Sequence, residues 1–274
     1  EEYVYLGDTL NCPYGIKTKE QIMGYVSNAI KFLESNDVKM IVIGCNTATV
    51  NSYEINASVP IMRIIEPTAK RAKEIKDKID PDGKIIVLAT NYTIDALGYD
   101  RFLHDDMYGV RSSDFVPIAE SGKQNTPYAK EACKKVLSDA IGKGKVVILG
   151  CTHFGLLEND IRSVLGDNIT TVESSDCIVG SVKECLDNIG YNDNKNTGKI
   201  TINVTGEPSE VKIDWFKKQY DGIYKEEGYG YYYDSIKEDQ VSEIMENNFN
   251  YYIVMELMEG CPLSETIKAE GPLE

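Results

Sequence analysis

Two cysteines of this 274-residue chain end the same short pattern, and the residues around them are the ones best suited to chemistry. Residues 39–45 read Lys-Met-Ile-Val-Ile-Gly-Cys, and residues 145–151 read Lys-Val-Val-Ile-Leu-Gly-Cys. Each apolar run predicts a strand, and each glycine predicts a turn at the carboxyl end of that strand. Ligands bind at such ends in open α/β sheets, because the next helix presents free N–H groups there. A small molecule between two such turns would meet the sulfur of Cys45 on one side and that of Cys151 on the other.

Small polar residues follow both cysteines: Asn46 and Thr47 in the first copy, Thr152 and His153 in the second. They can cap the next helix or orient a polar ligand. A helix N-terminus or an adjacent donor raises the thiolate fraction of a cysteine, and His153 is a candidate modulator of Cys151. The alternative is a tight turn with a small buried residue, since free cysteine is among the most buried types. That structural explanation is favoured for the remaining cysteines, which are Cys12, Cys133, Cys177, Cys185 and Cys261.

The composition of the chain argues against several classes of protein. The chain carries 44 acidic and 29 basic residues, a formal charge of −15, which argues against nucleic acid or an anionic membrane as partner. Seven cysteines without a CxxC pair, and two histidines, argue against a disulfide framework and a zinc site, so no metal is expected. No apolar run approaches the roughly 18 residues of a spanning helix, and the first residues resemble no leader peptide. We therefore expect a cytoplasmic protein.

Strands and helices alternate through residues 1–220, which is typical of an α/β fold with a largely parallel sheet. Strands are predicted at 3–6, 40–43, 61–65, 84–88, 146–149, 170–172 and 199–204. Helices are predicted at about 18–35, 67–79, 124–140, 176–188 and 208–219. Residues 221–274 differ in composition, with 13 acidic and 3 basic side chains, and we place a segment boundary near 221.

Eight segments carry a resemblance to a known family. In chain order they are YLGDTLNCPYG (5–15), IGCNTATV (43–50), VPIMRIIEP (59–67), LATNYTI (88–94), FVPIAESG (115–122), LGCTHFGLL (149–157), VESSD (172–176) and INVTGEP (202–208). Over residues 1 to about 220 the chain resembles the glutamate racemases of the cofactor-independent aspartate/glutamate racemase superfamily. The resemblance implies two doubly wound α/β domains with mostly parallel sheets, related by pseudo-twofold symmetry, with the active site at their interface. The first domain would comprise residues 1–93 and 206–220, the second residues 94–205, and residues 221–274 would form an acidic, tyrosine-rich tail.

The resemblance also implies residue roles. Cys45 and Cys151 would be the acid/base pair on opposite faces of the substrate α-carbon. Their sulfurs would then be about 7–8 Å apart, because the α-carbon between them is at contact distance from both. His153 and Glu120 would be the polar partners of Cys151. The α-amino and carboxylate groups of the substrate would be held by Asn46, Thr47, Thr90, Thr93 and Thr152, with the backbone of Tyr14 and Gly15. Asp8 and Glu66 match family positions, and for both a structural role is at least as strongly indicated.

The implied function is interconversion of L- and D-glutamate without cofactor, supplying D-glutamate for peptidoglycan and hence for cell-wall biogenesis and cell shape. The implied partner is a small amino acid, and a homodimer is a possible assembly. Two alternatives stay open: an aspartate or related amino-acid racemase of the same superfamily, and a catalytically inactive racemase-like domain that binds a small acid or a protein.

Two departures from the family concern its opening block and one turn. The family normally begins with a strand, a DSGxGG loop and a helix before the strand that here opens the chain, and that block is missing. Its aspartate ordinarily assists the first cysteine, and its serine ordinarily contacts the substrate. The second departure is Gly155, where the family usually has proline.

The tail offers two explanations. Residues 250–274 weakly resemble a protein-kinase hinge segment, but the chain has no convincing glycine-rich loop and no HRD or DFG element, so no kinase activity follows. Alternatively, a strand at 251–256, a turn at 258–262 and a helix at 263–270 repeat the order of elements that the N-terminus lacks. A circular permutation would bring Glu256 or Glu259 near the position of the missing aspartate. The other explanation is a truncated or fused product with an appended acidic segment. The apolar run 251–256 fits burial on both faces, and we predict that it docks in the N-terminal sheet beside residues 3–6.

Overall fold

The computed structural model describes residues 2–8, 10–189, 199–205, 233–235 and 251–255. Its strands are β1 Glu2–Gly7, β2 Val38–Ile43, β3 Ile61–Arg63, β4 Ile85–Ala89, β5 Met107–Arg111, β6 Val146–Gly150, β7 Thr170–Glu173, β8 Lys199–Val204, β9 Tyr233–Ser235 and β10 Tyr251–Met255. Its α-helices are α1 Lys19–Glu34, α2 Asn46–Ser52, α3 Ile65–Ile79, α4 Asn91–Asp95, α5 Asp100–Leu103, α6 Phe115–Glu120, α7 Pro127–Leu137, α8 Glu158–Leu165 and α9 Ser174–Asn188. The predicted α/β fold with mostly parallel sheets is confirmed.

The described residues divide into two compact units. The first contains those within 1–43, 51–62 and 185–257, and the second contains 44–50 and 63–184. The first unit holds a six-stranded sheet of order β3-β2-β10-β1-β8-β9. The pairs β2–β10, β10–β1, β1–β8 and β8–β9 are all parallel.

Strand β10 occupies an inner position of this first sheet although it comes last in the described chain. Its residues pair with β2 on one side, Met255 opposite Ile43, and with β1 on the other, Met255 opposite Leu6. Without β10, the facing edges of β1 and β2 would have unpaired backbone groups, which proteins normally cover. The structure thus places this strand beside β1, where the sequence analysis predicts it; the helix predicted at 263–270 lies outside the described residues.

The second unit holds a four-stranded, wholly parallel sheet of order β5-β4-β6-β7. Alternate side chains of its two central strands point to opposite faces, as strand geometry requires. Ile86, Leu88, Val147 and Leu149 pack with side chains from α6, α7 and α8, whereas Ile85, Val87, Val146 and Ile148 pack with residues of α3 and Tyr99. Both faces are buried, which explains why β4 and β6 are continuous apolar runs.

The units divide the chain differently from the predicted domains. Strand β4 lies in the sheet of the second unit because it pairs with β5 and β6, and β8 lies in that of the first because it pairs with β1. The predicted domains instead have residues 84–88 in the first and residues 199–204 in the second. Residues 44–50, which include Cys45, also belong to the second unit. The helix predicted at 208–219 lies outside the described residues.

Candidate active site

Cys151 begins a chain of three interacting side chains. It follows β6 and precedes a 3-10 helix, Thr152–Leu157, so it lies at the carboxyl end of a central strand. Its Sγ lies 3.6 Å from Nδ1 of His153, and Nε2 of His153 lies 3.3 Å from Oε1 of Glu120. A carboxylate only accepts hydrogen bonds, so the tautomer that suits Glu120 carries its proton on Nε2 and leaves Nδ1 to accept from the thiol. The arrangement can take a proton from Cys151 and stabilise the resulting imidazolium.

Aromatic packing holds the two ends of this relay together. Phe115 of α6 and Phe154 of the 3-10 helix are both fully buried, and their rings meet edge to face with centroids 5.4 Å apart. Edge-to-face geometry is favourable for aromatic pairs, so this contact fixes α6 against the turn that carries His153. Glu120 is the last residue of α6 and therefore lies beside that turn.

Cys45 lies at the start of α2. Its carbonyl accepts the N–H of Thr49 at 2.8 Å, and its Sγ accepts the N–H of Ala48 at 3.3 Å. The sulfur therefore occupies the place that a capping oxygen takes at a helix N-terminus. Backbone N–H groups in this position favour negative charge on the group they face.

Three buried threonine hydroxyls connect the Cys45 turn with the end of β4. Thr47 Oγ1 lies 3.1 Å from Thr90 Oγ1 and 3.2 Å from Thr93 Oγ1, and the latter two are 3.0 Å apart. Thr90 also caps α4, because its hydroxyl accepts the N–H of Thr93 at 3.3 Å. The structure thus brings together three residues that the resemblance assigned to substrate binding.

In the side-chain amide of Asn46 the oxygen is hydrogen-bonded and the nitrogen is not. Its Oδ1 accepts a hydrogen bond from the hydroxyl of Tyr99 at 2.8 Å. Its Nδ2 is buried and has no hydrogen-bond partner within the described residues, although Asn46 is only 3% exposed. Buried donors are normally paired, so this amide is available to an acceptor on a ligand. Sequence reasoning missed Tyr99, which lies 53 positions from Asn46 and has no local pattern that marks it.

The Cys151 turn and Thr90 lie at the same edge of the second sheet. In the β4–β6 ladder Ala89 is opposite Gly150, so Thr90 and Cys151 each follow at the carboxyl ends of adjacent strands. The hydroxyl contact between Thr47 and Thr90 attaches the Cys45 turn to the end of β4. The separation of the two sulfurs, predicted at about 7–8 Å, stays a prediction.

The site residues predicted near the start of the chain belong to the first unit. Tyr14 donates its hydroxyl to Asp8 at 2.5 Å, and Asp8 also accepts from Asn11 at 2.9 Å and from Thr205 at 2.5 Å. Asp8 therefore organises the loop that leads into a short 3-10 turn, Tyr14–Ile16, which contains Gly15. This agrees with the structural role indicated for Asp8. Substrate contact by Tyr14 and Gly15, like that of Thr152, stays a prediction.

Other predicted features fall into structural roles. Burial raises the pKa of Cys133 to about 12 and that of Cys177 to about 12, so neither thiol ionises at neutral pH. Glu66 is exposed in the first turn of α3, where a negative charge is favourable to the helix. Among the described residues no group of three metal-ligating side chains comes together. The helices of the described part are too short or too polar to cross a membrane.

Comparison with known proteins shows which family this chain resembles. The family model described as Asp/Glu/Hydantoin racemase matches residues 2–182. A curated glutamate racemase from Streptococcus pneumoniae serotype 19F (strain G54) is 31% identical over 232 residues, which cover 80% of this chain and 86% of that protein. Glutamate racemase from Thermus thermophilus, solved with beta-chloro-D-alanine, matches with a TM-score of 0.73 at 25% identity over 88% of each chain. Glutamate racemase isoform RacE1 from Bacillus anthracis matches with a TM-score of 0.75 at 27% identity, over 87% of this chain and 88% of that one.

The family model, the curated relative and the solved structures define a racemase, that is, an isomerase of the aspartate/glutamate class. The family model spans well over half of the chain, and the curated relative is matched over most of its length. The chain belongs to the Asp/Glu/Hydantoin racemase family.

Proposed function

We propose that this protein interconverts L- and D-glutamate without a cofactor, by proton transfer between the substrate α-carbon and the thiols of Cys45 and Cys151, and supplies D-glutamate for peptidoglycan. The observation that carries the proposal is the Cys151–His153–Glu120 relay, with separations of 3.6 and 3.3 Å. Three side chains in this order match the general arrangement of an activated group, its base and the residue that orients the base.

Inversion of a carbon centre requires two proton-carrying groups. One thiolate removes the α-proton from one face of the amino acid, and a thiol on the other face delivers a different proton. On the Cys151 side, Nδ1 of His153 accepts the S–H proton and Glu120 stabilises the imidazolium through Nε2. After delivery the two cysteines have exchanged protonation states, and the reverse reaction resets them.

On the Cys45 side a backbone N–H group, and not an imidazole, contacts the sulfur. The N–H of Ala48 donates to Sγ of Cys45, and a hydrogen bond to the charged form of a group favours that form. The Cys45 thiolate is thus stabilised without a second histidine. This difference supports a mechanism in which the two thiols are activated by different means.

Donors for the substrate lie at the Cys45 turn and at the end of β4. The unsatisfied Nδ2 of Asn46 and the hydroxyls of Thr47, Thr90 and Thr93 can bind a carboxylate or ammonium group. The names of the curated relative and the solved structures support glutamate as the substrate.

The test is deuterium uptake from solvent at the α-carbon of glutamate, with Cys45→Ser, Cys151→Ser and, as control, Cys185→Ser. Loss of either site thiol should slow uptake by about 10²–10⁴-fold, since positioned acid/base groups contribute that much. Cys185 lies in α9 and is half-buried, and its replacement should leave uptake within about twofold. Unchanged uptake in both Cys45→Ser and Cys151→Ser would refute the two-thiol mechanism.

The same assay with aspartate decides between substrates. Faster uptake at aspartate than at glutamate would replace the substrate assignment while keeping the mechanism, because the thiols act at the α-carbon in both. Calorimetric binding of D-glutamate without uptake at either amino acid would instead identify an inactive binding domain.

A further inference from the structure

Tyr99 contacts the residues beside both site cysteines. It is the N-cap residue of α5 and is only 1% exposed. Its hydroxyl donates to Oδ1 of Asn46, the residue after Cys45, at 2.8 Å. Its ring lies against Gly150, the residue before Cys151, because a Cβ at Gly150 would be 3.2 Å from Cε2 of Tyr99. One side chain thus contacts both of the repeated Gly-Cys turns.

The backbone around Tyr99 is held by its own hydrogen bonds, which restrict the position of the hydroxyl. The carbonyl of Tyr99 accepts the N–H of Phe102 at 3.0 Å, and the N–H of Gly98 donates to the carbonyl of Thr93 at 3.0 Å. Gly98 also lies against α2, because an added Cβ would be 2.8 Å from Cγ2 of Val50. The ring of Tyr99 belongs to the apolar core on the α3 side of the second sheet. A buried ring with this support can orient the side chain that its hydroxyl contacts.

The side-chain amide of Asn46 has one end bound and one end available. Asn46 is 3% exposed, its Oδ1 accepts from Tyr99, and its Nδ2 has no hydrogen-bond partner within the described residues. An amide nitrogen only donates and an ionised carboxylate only accepts, so Nδ2 is suited to a carboxylate and not to an ammonium group. If the amide were rotated by half a turn, its oxygen would face that carboxylate and repel it. With a carboxylate on Nδ2, the hydroxyl of Tyr99 supplies the donor that the buried Oδ1 requires.

We propose that Tyr99 is a positioning residue, whose hydroxyl holds Oδ1 of Asn46 and so keeps Nδ2 directed as a donor to a carboxylate of the substrate. The inference rests on the proposed function, because it takes the ligand of the site to be an amino acid. Tyr99 acts through Asn46 and not on the reacting atoms. Without the hydroxyl the amide can adopt other orientations, and binding has to restore this one, which lowers the apparent affinity.

The test is a double-mutant cycle with Tyr99→Phe, Asn46→Ala and the two together, with Tyr128→Phe as matched control. Tyr99→Phe removes the hydroxyl and keeps the ring against Gly150. The KM for glutamate should rise about 5–10-fold, the usual effect of losing one hydrogen bond, and kcat should stay within about threefold because the relay is intact. Tyr128 lies in α7 and is 63% exposed, so its replacement should change neither constant.

The double variant distinguishes a positioning role from a structural one. In the Asn46→Ala background no amide remains to be oriented, so Tyr99→Phe should raise KM by less than twofold further. A further rise of fivefold or more would overturn the proposal, because the hydroxyl would then act independently of Asn46. A KM within twofold of wild type in Tyr99→Phe alone would also overturn it. Circular dichroism checks that each variant is folded.

Calorimetric titration of the same variants with D-glutamate separates failure of this inference from failure of the proposed function. In a protein that binds D-glutamate without deuterium uptake, Tyr99→Phe should still raise Kd about 5–10-fold, and only when Asn46 is present. Normal deuterium uptake with an unchanged Kd in Tyr99→Phe would overturn the positioning role and leave the proposed function in place. Absence of binding of both D-glutamate and D-aspartate to the wild-type protein would overturn both.

Discussion

Cys151 and Cys133 are both buried cysteines of the second unit, yet their surroundings give the two thiols different chemistry. Cys133 is a residue of α7 that packs in the apolar core, and burial raises its pKa to about 12, with the charge of Asp160 adding to the effect. Cys151 is also part of that core but has an imidazole nitrogen 3.6 Å from its sulfur. A polar partner, and not the degree of exposure, therefore distinguishes the candidate catalytic thiol from the inert one.

Replacement of His153 by asparagine should lower the rate of racemisation by about 10²–10⁴-fold, because it removes the base that accepts the Cys151 proton. Glu120→Gln should have a smaller effect, on the order of tenfold, since its amide oxygen can still accept from Nε2 of His153. Polarimetry in both reaction directions measures the loss, and circular dichroism checks the fold. A His153→Asn variant that keeps kcat within twofold of wild type would contradict the relay.

Replacement of Glu173 by glutamine should stabilise the protein above pH 6 and have no effect near pH 4. The native pKa of about 6 is higher than the usual 4.5, so the folded state retains a proton that the unfolded state has lost. Unfolding free energy therefore falls as pH rises from about 4.5 through 6 and stays lower above it. Discounted for partial solvent exposure, the gain at pH 7 is about 1 kcal/mol. Thermal melts across this pH range measure it, and a constant difference between the two proteins would contradict the assignment.

At the scale of elements, α2 depends on the threonine cluster for its attachment to β4. Thr47→Val keeps the shape of the side chain but leaves the buried hydroxyls of Thr90 and Thr93 each with one fewer partner. We expect a loss of about 1–3 kcal/mol in unfolding free energy, and a raised KM because these hydroxyls are the ones proposed to bind the substrate. Thr170→Val in β7, where a β-branched apolar residue fits, is the control. Urea denaturation and steady-state kinetics measure both quantities, and equal stability of the two variants would show that the cluster does not hold α2.

Sequence reasoning finds elements whose apolar pattern is strong and misses those that depend on context. Strands β4 and β6 are continuous apolar runs, and β2 is apolar apart from Lys39, because these inner strands are buried. The sequence predicts each of the three to within two residues of its observed ends. Strand β5 was missed: it is an edge strand, contains Gly109, and is largely exposed or half-buried. Helices α2 and α4 have seven and five residues, too few to show a helical period.

The candidate site was predicted unevenly for a similar reason. The repeated Gly-Cys pattern and its polar neighbours are local, so Cys45, Cys151, Asn46 and His153 could be selected from sequence. Tyr99 could not, because its importance arises from a contact with Asn46 that only the folded chain creates.

At the scale of the whole molecule, the first sheet is assembled from distant parts of the chain. Strand β10 lies between β2 and β1 although more than two hundred residues separate it from either. Such pairing carries a large loop-closure entropy and is expected to form late in folding. The second sheet uses strands from residues 85–173 and has its own core on both faces, so it does not depend on β10.

This difference predicts how the protein responds to loss of its last residues. In the intact chain the amides of 251–255 and of 40–43 should exchange slowly with solvent, because parallel ladders bond both segments. Cutting the chain after Tyr220 removes β10 and leaves the facing edges of β1 and β2 unpaired. Protection against exchange at 40–43 should therefore be lost. Protection at 85–89 and 146–150, in the second sheet, should persist. Hydrogen exchange followed by mass spectrometry measures all four segments. Fast exchange at 251–255 in the intact protein, or unchanged protection at 40–43 after the cut, would show that β10 does not hold the first sheet together.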